Sequence, residues 1–145
     1  MHNGNTPIKI GVYGAILDKE KNLLILKRAS HDSHPGIWEI PGGALNFNED
    51  LDQGVQREVY EETGLSVNAL FPFAAYSEIS TKGYQVIRIA YLCKLLNDKH
   101  SVSLSSEHDE YQWVNLEQVT RINRSNFLNH VLGVLKTYPQ ILDIH

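Results

Sequence analysis

Residues 42–65 read GGALNFNEDLDQGVQREVYEETGL, and six carboxylates fall between Glu49 and Glu62 against one cation, Arg57. The stretch from about Asp50 to Thr63 has the pattern of a helix. Asn48 is placed to cap its start, and Glu49 and Asp50 suit the positive end of its dipole. Gly64 stands where a left-handed C-terminal residue is wanted. On that helix Leu51, Val55 and Val59 form an apolar stripe at four-residue spacing. Glu58, Glu61 and Glu62 share one side, at i, i+3 and i+4. Glu62 follows Val59 by three residues and Val55 by seven, in line with the stripe, and Glu58 lies one step beside it. A solvated acidic face would lie opposite the core; these acids lean towards it.

Carboxylates gathered at a core edge repel one another and take up protons unless a counter-charge is present. Arg57 is expected to answer for one of them. A divalent cation would answer the rest. Oxygen ligands with no Cys or His in the motif favour Mg²⁺ or Mn²⁺ over zinc. Mg²⁺ keeps several waters and takes further ligands from substrate phosphates, so the cluster implies a phosphorylated substrate as well. The preceding Pro41-Gly42-Gly43 turn follows a strand and leads towards a helix start, a place where backbone approaches closely and amides meet anions.

The rest of the chain bounds this reading. Its 145 residues suit one domain, 1–145, with 1–6 a loose start. A net charge of −4 argues against a DNA duplex as partner, because phosphate backbones are bound by basic surfaces. Cys93 is the sole cysteine, in the apolar run IAYLCKLL, and reads as a buried thiol. The N-terminus lacks the apolar core of a signal peptide, and no apolar run reaches the ~18–20 residues of a membrane span, so we expect a cytoplasmic protein with no membrane partner.

Ile8, Ile10 and Val12 alternate as a strand running to about Leu17. Residues 23–28 read as a second strand, expected to pair with the first as a hairpin across the polar turn 18–22. Residues 29–36 read as loop and 37–40 as a short strand. Two longer strands follow in 65–80 and 84–96, then a short one at 111–116, with a small helix expected to begin at Leu116. Ser125 should cap a last helix, in which Phe127, Val131 and Leu135 repeat, stopped by Pro139. Strands outnumber helices, which suggests an α/β fold with a mixed sheet sandwiched by helices.

Gly43, five residues, Glu49, seven residues, then Arg57-Glu58-Val59-Tyr60-Glu61-Glu62-Thr63-Gly64-Leu65 resembles the signature of the Nudix hydrolases. Every fixed position of the pattern is filled, and GIWEIPGG resembles the family's usual lead-in. The resemblance implies an α/β/α sandwich with a mixed central sheet. It also implies MutT-like hydrolysis of a nucleoside diphosphate linked to another group, with Mg²⁺ or Mn²⁺. Glu58, Glu61 and Glu62 would be the metal ligands. Arg57 and Glu49 would pair to hold loop and helix in register, Gly43 would permit the turn, and Gly64 would end the helix. Relatives often have Gly where this chain has Asn48.

The base that activates water is open between Glu107, Glu110 and Glu58, with Glu107 preferred; Glu107 to Glu110 are expected in a loop before a strand. Arg28, with Lys27, ends a strand that could reach phosphates, and Arg88 could point into a cleft. Phe47, Trp38, Tyr76 and Tyr84 are candidates to stack on a base. The histidines, among them His31, His34 and His145, form no helical zinc motif. The segment SSEHDEYQW is similar to MutT-like members acting on nucleoside triphosphates; ADP-ribose and dinucleoside polyphosphates stay open. A non-catalytic nucleotide-sensing module would be expected to lose box carboxylates, and this chain keeps all of them. Monomer and homodimer are equally compatible with the sequence.

Overall fold

A computed structural model describes residues 7–96, 101–119 and 122–143. The expected loose start at 1–6 and His145 lie outside them. The element order is β1 (Ile8–Ile16), β2 (Leu23–Arg28), β3 (Trp38–Glu39), β4 (Gly42–Ala44), α1 (Leu51–Thr63), β5 (Val67–Ile79), β6 (Gln85–Leu95), β7 (His108–Val114) and α2 (Asn126–Thr137), followed by a 3₁₀ turn at Pro139–Asp143. Strands β4-β1-β6-β5 form one sheet, in which β1 and β6 run parallel and the other neighbours antiparallel. A second, antiparallel sheet has the order β3-β2-β7. The expected mixed sheet is thus the four-stranded one, and a separate three-stranded sheet accompanies it.

Strands β1 and β2 are apolar on both faces because each is covered on both sides. Val12 and Ile16, with Leu24 and Leu26, pack with Val55 and Val59 of α1. Tyr13 and Ala15, with Leu23 and Ile25, pack with Phe127, Leu128, Val131 and Leu135 of α2. Two helices on opposite sides of the strands make the α/β/α sandwich. Ser125 Oγ accepts from the Leu128 amide and caps α2 as expected.

The expected β1–β2 hairpin does not form. Both edges of β1 are occupied, one by β6 along the strand and the other by β4 at residues 11–13, so no ladder is left for β2. What remains is the tight turn at Asp18–Asn22 and a single bridge, Leu17 to Leu23. Residues 116–118 form a turn rather than the start of a regular helix, and Thr120 lies outside the described residues. The last strand begins at His108, three residues earlier than its apolar pattern suggested, because its ladder with β2 runs from Val114 back to His108.

The start of α1 also differs from expectation. Asp50, not Asn48, occupies the N-cap position, with no side-chain cap bond. Asn48 has φ 64°, a left-handed conformation that Asn tolerates better than most side chains. The loop turns there, so the residue shapes the approach to the helix rather than its end.

Gly42 and Gly43 separate fold from site. A Cβ on Gly42 would stand 2.3 Å from the Val12 carbonyl oxygen, whereas one on Gly43 would meet the end of the Glu58 side chain at 2.6 Å. Backbone cannot yield cheaply, and a side-chain tip can. Gly42→Ala is therefore expected to lower Tm by at least about 5 °C, and Gly43→Ala by less than about 3 °C. Thermal melts of the two purified variants check this; equal losses would contradict it.

Candidate active site

The charge pattern of α1 opposes its dipole. Glu58, Glu61 and Glu62 crowd its last turns, and no basic residue stands in the final turn, although a helix C-terminus disfavours anions. Glu62 is only 5% exposed. Its Oε1 accepts from the Gly42 amide at 2.8 Å, so the glycine turn directly orients the carboxylate. Burial, above all, pushes the Glu62 carboxyl up to about 9, with Glu107, Glu39 and Glu58 adding to the shift against the Gly42 bond.

Arg57 does more than the sequence suggested. Its guanidinium reaches Glu49 through Nε at 2.7 Å and Nη2 at 2.9 Å, a two-point fork. Nη1 donates to Glu58 at 2.9 Å and to Glu61 at 3.2 Å, and Nη2 also donates to the Ala44 carbonyl at 3.0 Å. One side chain therefore ties β4, the loop and the helix together, and it answers three carboxylates rather than one. Arg57 holds the Glu49 carboxyl down to about 2. Glu58 is half-buried, and burial raises its carboxyl despite Arg57. Glu61, at 55% side-chain exposure, faces water.

The opposite wall comes from sequence more than forty residues away. Helix ends leave carbonyls without intrahelical partners. Here the Thr63 carbonyl accepts from the Ser103 amide at 2.9 Å and the Glu62 carbonyl from the Ser105 amide at 3.2 Å. This strap delivers Glu107 and His108 beside Glu62. Ligand atoms of Glu62, Glu107 and His108 lie within 4.8 Å of one another. The sequence offered Glu58, Glu61 and Glu62 as the cluster; among the described residues, the close set joins Glu62 to the strap instead, while Arg57 takes up Glu58 and Glu61. Two carboxylates and an imidazole, one carboxylate deeply buried, suit a divalent cation by donor type. Glu110 stands on β7, exposed, 3.7 Å from Lys27 across the ladder, so neither residue joins the set.

A cavity of about 550 Å³ is lined in part by Glu39, which lies 4.0 Å from His108 of this set. Glu39, on β3, is buried; its Oε2 accepts from Arg28 Nη2 at 3.0 Å, and its Oε1 lies 4.0 Å from His108 Nε2. Arg28, Arg88 and Tyr84 line the cavity, as do Arg124, Lys82 and Glu78. Four cations against two carboxylates make it positive within an acidic chain. Arg88 donates to Glu78 at 3.0 Å and to the Tyr13 hydroxyl.

Of the aromatic candidates, Trp38 lies in the core and Tyr76 packs on Phe127 and His130. Phe47 is fully exposed and does not line the cavity. Glu39 was not singled out from the sequence, and His108 figured there only as one residue of the 107–110 loop; the available signal for Glu39 was a carboxylate between two apolar residues in IWEI.

The Glu62 shift has a direct consequence for stability. A carboxyl whose folded value is raised stabilises the fold fully below its unfolded value, about 4.5, and loses that contribution as pH climbs to about 9. Glu49, depressed by Arg57, loses its contribution only as pH falls from 4.5 towards about 2, outside that window. Metal-free Glu62→Gln is therefore expected to gain about 3–6 °C in Tm over the parent between pH 5.5 and 8.5. Parallel Tm–pH curves would contradict it.

The NUDIX domain profile matches residues 7–132. A MutT-like protein of Streptomyces ambofaciens is 31% identical over 111 residues, 77% of this chain and 66% of that protein, so the match spans just under two-thirds of its length. Nucleoside triphosphatase NudI of Enterobacter sp. (strain 638) is 26% identical over 117 residues, 74% of this chain and 83% of that protein. The crystal structure of a MutT protein from Methanosarcina mazei Go1 superimposes with a TM-score of 0.78 at 28% identity, covering 96% of this chain and 98% of that one. With the glycine turn, the Arg57 fork and the acidic helix end in place, the profile match settles kinship: this chain belongs to the NUDIX domain family.

Proposed function

We propose that this protein is a metal-dependent pyrophosphohydrolase that cleaves a diphosphate linkage in a nucleoside triphosphate or a related nucleoside diphosphate derivative, in the cytoplasm. The observation that carries the reading is the buried Glu62 meeting Glu107 and His108, with Glu39, 4.0 Å from His108, on the wall of a positive cavity. A bound Mg²⁺ or Mn²⁺ would neutralise phosphate oxygens and acidify a water. Glu58, Glu61 and Glu62 are its candidate holders, with Glu62 oriented by the Gly42 amide. Arg57 keeps Glu58 and the loop in register. Glu107 would take the proton from the attacking water; its position beside Glu62 and the pairing of Glu110 with Lys27 support that choice. Arg28 and Arg88 give the cavity the charge to receive the nucleotide.

Family relatives described as MutT-like and as a nucleoside triphosphatase support the triphosphate over other derivatives. A panel of nucleoside triphosphates, nucleotide sugars, ADP-ribose and dinucleoside polyphosphates, each with Mg²⁺ and with Mn²⁺, tests it. We expect at least one triphosphate to exceed ADP-ribose about tenfold in kcat/KM, and no turnover after chelation. Hydrolysis of none of them with either ion would overturn the reading.

The base assignment has its own test. Glu107→Gln is expected to lower kcat by about 10²-fold or more, with KM within about threefold and the acidic limb of the pH–rate profile altered. An unchanged rate and profile would remove Glu107 from the reaction.

A further inference from the structure

His108 stands apart from the family signature, yet the fold treats it as part of the site. Its side chain is 4% exposed, and Nδ1 is buried without a hydrogen-bond partner. A buried polar atom without a partner costs about 1–3 kcal/mol, so such an atom is tolerated where something else fills its valence. The other ring nitrogen, Nε2, faces Glu39 Oε1 at 4.0 Å, and Arg28 fixes Glu39 from behind at 3.0 Å. The imidazole also lies within 4.8 Å of the Glu62 and Glu107 carboxylates. A histidine that ligates a metal through one nitrogen characteristically presents the other to a carboxylate, which sets its tautomer and its orientation. Glu39 stands at one ring nitrogen of His108, and the Glu62 and Glu107 carboxylates lie close to the same imidazole.

We propose that His108 is a nitrogen ligand of the divalent cation, binding through Nδ1 beside Glu62 with Glu39 as the carboxylate behind its ring, and that it biases the site towards Mn²⁺ over Mg²⁺. The inference rests on the metal-dependent reading above. Its chemical basis is the donor set: Mg²⁺ takes oxygen almost exclusively, whereas Mn²⁺, although the hardest of the first-row transition ions, shares their capacity to bind nitrogen. Arg28 acquires a second role, since it holds Glu39 and lines the nucleotide cavity at once.

Pulsed electron paramagnetic resonance on the Mn²⁺-loaded full chain reads nitrogen coordination without turnover. We expect directly bound ¹⁴N modulation in the parent protein, replaced by a ¹⁵N pattern after ¹⁵N-histidine labelling. His108→Gln should abolish it, weaken Mn²⁺ binding about tenfold by calorimetry and leave Mg²⁺ binding within about twofold. Should that variant not fold, the labelled parent protein decides alone. Stoichiometric Mn²⁺ binding without nitrogen coupling would overturn this inference and leave the hydrolase reading standing. Equal weakening of both ions by a folded His108→Gln would likewise overturn it, marking a structural histidine. Failure of Mn²⁺ and Mg²⁺ to bind at all would overturn both.

Discussion

A carboxylate kept from water at the negative end of a helix is the constraint around which this structure is arranged. Glu62 bears three unfavourable terms together: burial, the helix dipole and neighbouring acids. The surroundings answer these terms only in part, since Glu39 and Glu107 add to them. The glycine turn supplies an amide, Arg57 draws Glu58 and Glu61 into its own fork, and the strap brings an imidazole alongside. None of these neutralises Glu62 outright. The outcome is a buried carboxyl pushed up to about 9, a group that folding alone would not place there.

Much of the fold was legible because its signals are local. The period-two pattern in β1, the four-residue stripe in α1 and α2, the Ser125 cap and Gly64 each depend on near neighbours. What could not be read from the sequence was partner choice. The apparent β1–β2 hairpin failed because β1 had better partners about thirty residues away in β4 and 77 away in β6, and no local pattern encodes that competition. Asn48 was misread for a related reason: the same residue type suits an N-cap and a left-handed turn, and only the path of the loop distinguishes them.

The candidate site divides in the same way. The Nudix signature located Glu49, Arg57 and the glutamates on α1, because these sit within one short segment. It gave no access to Glu39 or His108, which enter from β3 and β7. A guanidinium has five donors in a fixed fork, so counting one counter-charge per carboxylate underrates it; the three-way engagement of Arg57 follows from geometry, not from formal charge. Arg28 likewise reads as a surface cation at a strand end until β3 pairs with β2 and brings Glu39 against it.

The strap at Ser103 and Ser105 has a consequence for how the molecule is made. It closes a chain loop of more than forty residues onto the last turn of α1, so the two halves of the site meet only after β5 and β6 have been laid down between them. Contacts of such long range form late, because their loop-closure entropy is repaid only by a nearly completed fold. The whole signature is thus present in the growing chain well before the strap that completes the candidate site, which arrives only with the final third of the polypeptide.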